Sequence, residues 1–147
     1  MNMPSSDSTR LALNIDRLMR RIHAELQPRA AEFDRHQVGP LGGMLLLTVA
    51  ESEPAEIQSV VELLGRDKSQ ISRLIRSLES KGLLRRERCA LDGRVSVISL
   101  TDAGREQLDR ITDVLTLIVE DLFANFSNKE KIGFASMLER VLAEDEN

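Results

Sequence analysis

Apolar residues recur at helical spacing over most of this chain, and the pattern breaks at a few points. From about Thr9, the residues Leu11, Ile15, Leu18, Ile22 and Leu26 follow a period near 3.6 and predict a helix. Pro28 should kink or break it, with a second piece running to Phe33 and a connection over 34–39. Pro40 fits the first turn of a further helix, whose body LGGMLLLTVA is nearly all apolar and should be buried on most sides. Pro54 is expected to start the next helix, with Ile57, Val60, Val61 and Leu64 on one face and Gly65 at its end. Asp67 to Gly82 then reads as a short amphipathic helix. Ile71, Leu74, Ile75 and Leu78 form its stripe, Asp67 with Gln70 makes a capping-box-like start, and Gly82 makes a C-cap.

The period changes after Gly82. Leu83 to Cys89 and Val95 to Leu100 predict two strands, joined by a turn at Ala90-Leu91-Asp92-Gly93, where Asp-Gly is a strong hairpin signal. Thr101 should cap a long helix, TDAGREQLDRITDVLTLIVEDLFANF. Ser127 should cap the last one, with Glu130 at the capping-box position and Ile132, Phe134, Met137, Leu138, Val141 and Leu142 as its apolar content. Two amphipathic helices joined only by Gly65-Arg66 form a helix-turn-helix, and the hairpin after it makes a winged helix. The predicted fold class is therefore mainly α with a small β-hairpin wing: a winged helix-turn-helix with additional N- and C-terminal helices. The expected organisation is a disordered N-terminus over 1–8, helical dimerisation segments at 9–34 and 101–147, and a winged helix over 40–100.

The outer face of the 67–82 helix is unusual. At about 100° per residue, the side opposite the stripe holds Ser69, Arg73, Arg76 and Ser80, flanked by Gln70, Ser72 and Ser77, with no carboxylate. Solvated helix faces usually mix Glu with Lys at i, i+4 spacing. Hydroxyls, an amide and guanidiniums instead suit a close approach to base edges and phosphates.

A net charge of −4 argues at first against a nucleic-acid partner, but its distribution reverses that. Residues 66–94 carry nine positive and four negative charges, a net +5, so the remainder is −9. A basic patch on an acidic body meets phosphates with one face. Other classes recede. Cys89 is the single cysteine, which excludes an internal disulfide and a cysteine-based zinc site. His23 and His36 are the two histidines and suggest no metal site, no phosphate-binding glycine loop or nucleophile elbow occurs, and Tyr and Trp are absent. Neither an enzyme nor a cofactor is expected. No apolar run approaches the roughly 20 residues of a membrane span, and no signal-peptide pattern is present, so a cytoplasmic protein without a membrane partner is expected.

The run ELLGRDKSQISRLIRSLESKGLLRRERCALDGRVSVISLTDAGRE resembles the DNA-binding region of MarR-type transcriptional regulators. Three matches carry the resemblance: LESKGLLRRE (Leu78 to Glu87), the wing turn Asp92-Gly93-Arg94, and the junction Leu100-Thr101-Asp102-Ala103-Gly104. It covers about residues 53–106. The resemblance implies a homodimer whose terminal helices intertwine and whose two winged helices sit on a pseudo-palindromic double-stranded operator, most often as a repressor answering a small-molecule effector.

On that basis Ser69, Gln70, Ser72, Arg73 and Arg76 are assigned to the major groove. Lys68, Arg85, Arg86 and Arg88 are phosphate candidates. Arg94 is the wing arginine at the minor groove, with Asp92 and Gly93 shaping its turn. The implied effector crevice lies between the dimerisation helices and the winged helix. Met19, Ile22, Phe33, Met44 and Leu47 could line it, although apolar helical positions are more often core, so the effector site stays unassigned. A redox role for Cys89, beside Arg88, is weighed against an incidental thiol. The rival reading is a winged helix used for protein contact without DNA.

Overall fold

The computed structural model describes residues 5–143. Helix α1 (Ser5–Leu26) runs into a 3₁₀ turn (Gln27–Arg29) and the short α2 (Ala30–Phe33). Then follow α3 (Gly39–Glu51), strand β1 (Ala55–Glu56), α4 (Ile57–Leu64), α5 (Lys68–Ser80), β2 (Leu84–Arg88), β3 (Ser96–Leu100), α6 (Asp102–Leu122) and α7 (Asn128–Leu142). The architecture is the expected one, mainly helical with a small antiparallel wing. Pro28 sits in the 3₁₀ turn and Pro40 in the first turn of α3, as their fixed φ and missing N–H require.

Three boundaries differ from the sequence expectation. Helix α1 already includes Ser5 to Ser8, while residues 1–4 of the expected disordered tail lie outside the described residues. Helix α4 starts at Ile57 rather than at Pro54, because Ala55 and Glu56 pair with Ile98 and Val97 of β3. The sheet thus has three strands in the order β1-β3-β2, and β1 covers the edge of β3 that a plain hairpin would leave open. Helix α6 stops at Leu122, with Phe123 N–H donating to the Val119 carbonyl at 3.0 Å as its closing turn, short of the expected Phe126.

The core of the winged helix joins α3, α4, α5 and the sheet. Leu45, Leu46, Val60, Ile71, Ile75, Leu78, Leu83 and Ile98 are fully buried together, which fixes how α5 is rolled about its axis. Gly65 closes α4 in the left-handed region at φ 59°, where a side chain would be strained, and its N–H donates to the Val61 and Glu62 carbonyls. The chain can therefore reverse within two residues before α5.

Thr101 locks the hairpin to α6. Its Oγ1 accepts from Gly104 N–H at 3.1 Å and donates to the Gly82 carbonyl, and its own N–H donates to the Leu83 carbonyl at 3.1 Å. At the other end Ser127 and Glu130 form the anticipated reciprocal capping box of α7. No helix among the described residues is long and apolar enough to cross a membrane.

Candidate nucleic-acid interface

With Ile71, Ile75 and Leu78 buried and Leu74 half-buried, geometry alone decides what α5 shows to solvent. Ser69, Gln70, Arg73, Arg76 and Ser80 are exposed, and Ser72 and Ser77 are half-buried at the flanks. Lys68, Ser69, Ser72, Arg73 and Arg76 line one shallow depression on the surface. Asp67 occupies the N-cap position, but its side chain makes no capping bond, so the expected capping box with Gln70 is not formed. The residue serves the helix through its backbone carbonyl, which accepts from Ile71 N–H at 3.1 Å. Gln70 is thereby left at the exposed start of the helix.

The one carboxylate within α5 is engaged by the hairpin. Glu79 accepts from Arg86 through both oxygens, Nε to Oε1 at 3.0 Å and Nη2 to Oε2 at 3.2 Å, which ties α5 to β2. Arg86, expected among the DNA contacts, is thus engaged within the winged helix. Arg85 pairs with Glu87 at 3.4 Å along β2, and Arg88 Nη1 donates to the Gly93 carbonyl at 3.5 Å.

In the wing, Asp92 Oδ1 accepts from the backbone N–H of Arg94 at 3.0 Å and from its Nε at 3.3 Å. Val95 N–H to the Asp92 carbonyl, and Cys89 N–H to the Val95 carbonyl, close the turn. The Arg94 side chain remains 92% exposed. Leu91 stands beside it 97% exposed, an apolar residue at the tip that sequence reasoning treated only as turn. Also missed was Lys81, whose Nζ donates to the Gln37 carbonyl at 2.9 Å, since nothing in the sequence links two residues so far apart.

A second concavity lies between the terminal helices and the winged helix. It has a volume of about 330 Å³, and its walls include Ile22, Leu26, Phe33, Met44, Leu47, Ile111 and Leu115, with His23, Gln27 and Asp34 as polar members. Four of the five residues named from the sequence line it, and Met19 does not. No lysine or arginine contributes to the wall. Among the described residues, no group of three or more His, Cys, Asp or Glu side chains could hold a metal ion. Cys89 is a half-buried free thiol.

Comparison with known proteins places these features in context. The sequence model of the MarR family matches residues 43–96, from α3 to the start of β3. The uncharacterized HTH-type transcriptional regulator YxaD of Bacillus subtilis is 31% identical over 98 residues, which is 67% of this chain and 68% of that protein. A second B. subtilis protein, the uncharacterized HTH-type transcriptional regulator YdgJ, is 29% identical over 97 residues, covering 66% of this chain but only 57% of its own length. Among solved structures, the transcriptional repressor CouR bound to a 23-mer DNA duplex superposes with a TM-score of 0.72. That match has 21% identity and covers 97% of this chain and 100% of CouR, a likeness of fold.

Proposed function

This chain belongs to the MarR family of winged-helix transcriptional regulators, and from that premise we propose that it binds a pseudo-palindromic double-stranded operator as a homodimer and represses transcription until a small molecule releases it. One observation carries the reading: α5 presents exposed Ser69, Gln70, Arg73 and Arg76 with no carboxylate among them, and the wing presents an exposed Arg94 bonded to Asp92. Arginine can contact guanine in a bidentate fashion from the major groove, and a wing arginine suits a narrow minor groove. Lys68 at the start of α5, with Arg85 and Arg88 on the hairpin, supplies phosphate contacts.

The dimer rests on surface that one chain cannot cover. Leu11, Leu13, Ile15 and Met19 of α1 are exposed, as are Ile132, Met137, Leu138, Val141 and Leu142 of α7, which buries no residue in the single chain. Exposed large apolar residues on both terminal helices suit an interface, and twofold closure is the commonest arrangement. Residues 9–34 and 101–147 then form the dimerisation region and 40–100 the DNA-binding region. Two α5 helices would meet successive major grooves about 34–36 Å apart.

The 330 Å³ crevice is the candidate effector site. Its apolar walls, with no lysine or arginine, favour an uncharged ring compound over an acid. An effector derepresses only by binding the non-operator arrangement more tightly than the operator-bound one. The test is a gel shift with DNA from the protein's own promoter over a range of salt concentrations. Retardation that weakens steeply with salt supports the proposal, and no retardation at low salt favours a protein-contact role instead.

A further inference from the structure

The connection between α2 and α3 touches three parts of the molecule at once. Gln107 of α6 is fully buried, and its Nε2 donates to the Phe33 carbonyl at 3.2 Å and to Asp34 Oδ1 at 3.4 Å. The same Asp34 carboxylate caps α3, accepting from Val38 N–H at 2.8 Å and Gly39 N–H at 2.9 Å. Phe33 and Asp34 also form part of the crevice wall. Three residues on, Gln37 is held at φ 52°, a left-handed conformation that a non-glycine residue adopts only when its surroundings enforce it. That turn aims the Gln37 carbonyl at Lys81, the C-cap of α5, whose Nζ donates to it at 2.9 Å.

We propose that this loop, residues 34–38, is the mechanical link through which the crevice and α6 set the placement of α5. Gln107 is its anchor and Lys81 is a positioning residue at the far end. The physical reason lies in the bonds. One buried amide, Gln107 Nε2, donates both to the Phe33 carbonyl and to the Asp34 carboxylate, and that carboxylate also holds the start of α3. Displacing Phe33 or Asp34 from the crevice side disturbs the Gln107 bonds and the α3 cap together. The left-handed turn at Gln37 then has less to hold it, and Lys81 loses its acceptor. The structural coupling stands by itself; its consequence for operator binding rests on the DNA-binding reading above.

The test uses the whole chain and two remote readouts. In Gln107→Leu, amide hydrogen exchange at Leu78 to Gly82, at the end of α5, should rise about tenfold. In Lys81→Met, exchange at Gln37 to Gly39 should rise similarly, and Lys81→Arg, which keeps a donor, should restore it. The double variant should exchange little faster than either single one, because either change already opens the link, whereas independent sites multiply to within about twofold. Effects confined to each mutated element, or multiplying in the double variant, overturn the proposal. If Gln107→Leu does not fold, Gln37→Val, at an exposed loop position whose φ of 52° a β-branched residue resists, takes its place in the cycle. Promoter affinity of the same variants is read in parallel. Wild-type protein that ignores DNA would defeat the operator reading while leaving the exchange result decisive for the link.

Discussion

Arg86 and Glu79 face each other across the junction of α5 and β2 with both guanidinium and carboxylate edges engaged, at 3.0 and 3.2 Å. The fork ties the hairpin to the helix and engages the one carboxylate within α5. An Arg86→Ala variant should therefore lose a little stability, about 0.2–1 kcal/mol for a pair this exposed. The salt dependence of promoter binding should stay at the wild-type slope. Thermal unfolding and a salt titration check the two halves. A slope lower by one ion would put Arg86 on a phosphate.

Asp92 and Arg94 make a prediction whose sign is informative. Arg94→Ala should weaken DNA binding and reduce the salt slope by about one ion. Asp92→Ala removes a negative charge from the wing, so long-range electrostatics alone would tighten binding. The two bonds from Arg94 to Asp92 Oδ1 argue the opposite, that a freed wing arginine loses more orientation than the field gains. Affinity measured across salt for both variants decides, and tighter binding by Asp92→Ala would reduce the carboxylate to a bystander.

Most of the winged helix is legible in the sequence because its stripes are strict. Ile71, Ile75 and Leu78 can be buried together only if Arg73 and Arg76 face out, and a period of 3.6 fixes that without coordinates. What escaped detection is what periodicity does not encode. A two-residue strand at Ala55–Glu56 is too short to alternate, and it exists because β3 offers an edge. Phe126 continues the apolar pattern, which carries the expected α6 past its actual end at Leu122. In the structure Phe126 and Phe134 each pack tilted against Phe123, at ring-centroid distances of 5.4 Å, around a turn and not along a helix. Asp67 has the right residue type for a cap and makes the helix start without the side-chain bond. The ties Gln107–Phe33 and Lys81–Gln37 join distant segments, and a single sequence carries no trace of them.

Gly104 gives the Leu-Thr-Asp-Ala-Gly junction a physical meaning. A Cβ built there would lie 2.1 Å from the Leu83 carbonyl oxygen, a backbone atom that is already accepting from Thr101 N–H. The first turn of α6 can rest on the start of the hairpin only without a side chain. Gly104→Ala should destabilise the fold by about 1–3 kcal/mol, as overpacking against an unyielding neighbour does. This holds even though alanine is the better helix former. Denaturant unfolding tests it, and a neutral or stabilising effect would mean that hairpin and α6 are free to separate.

The C-terminal helix yields the sharpest test of assembly. Ile132, Val141 and Leu142 are 70%, 80% and 77% exposed in the single chain. Covering a side chain of this kind is worth about 1.5–3 kcal/mol, so a partner chain gains most where the monomer is least satisfied. Replacing Ile132 and Val141 together by glutamate should convert a dimer to a monomer in sedimentation while leaving the core of α3, α4 and α5, and hence the helical circular dichroism, nearly intact. DNA binding should fall by far more than the loss of any one contact. The second winged helix then no longer binds at the high effective concentration that its tether supplies. If the doubly substituted protein still sediments as a dimer and binds promoter DNA unchanged, α7 is not the interface and its apolar residues serve another partner.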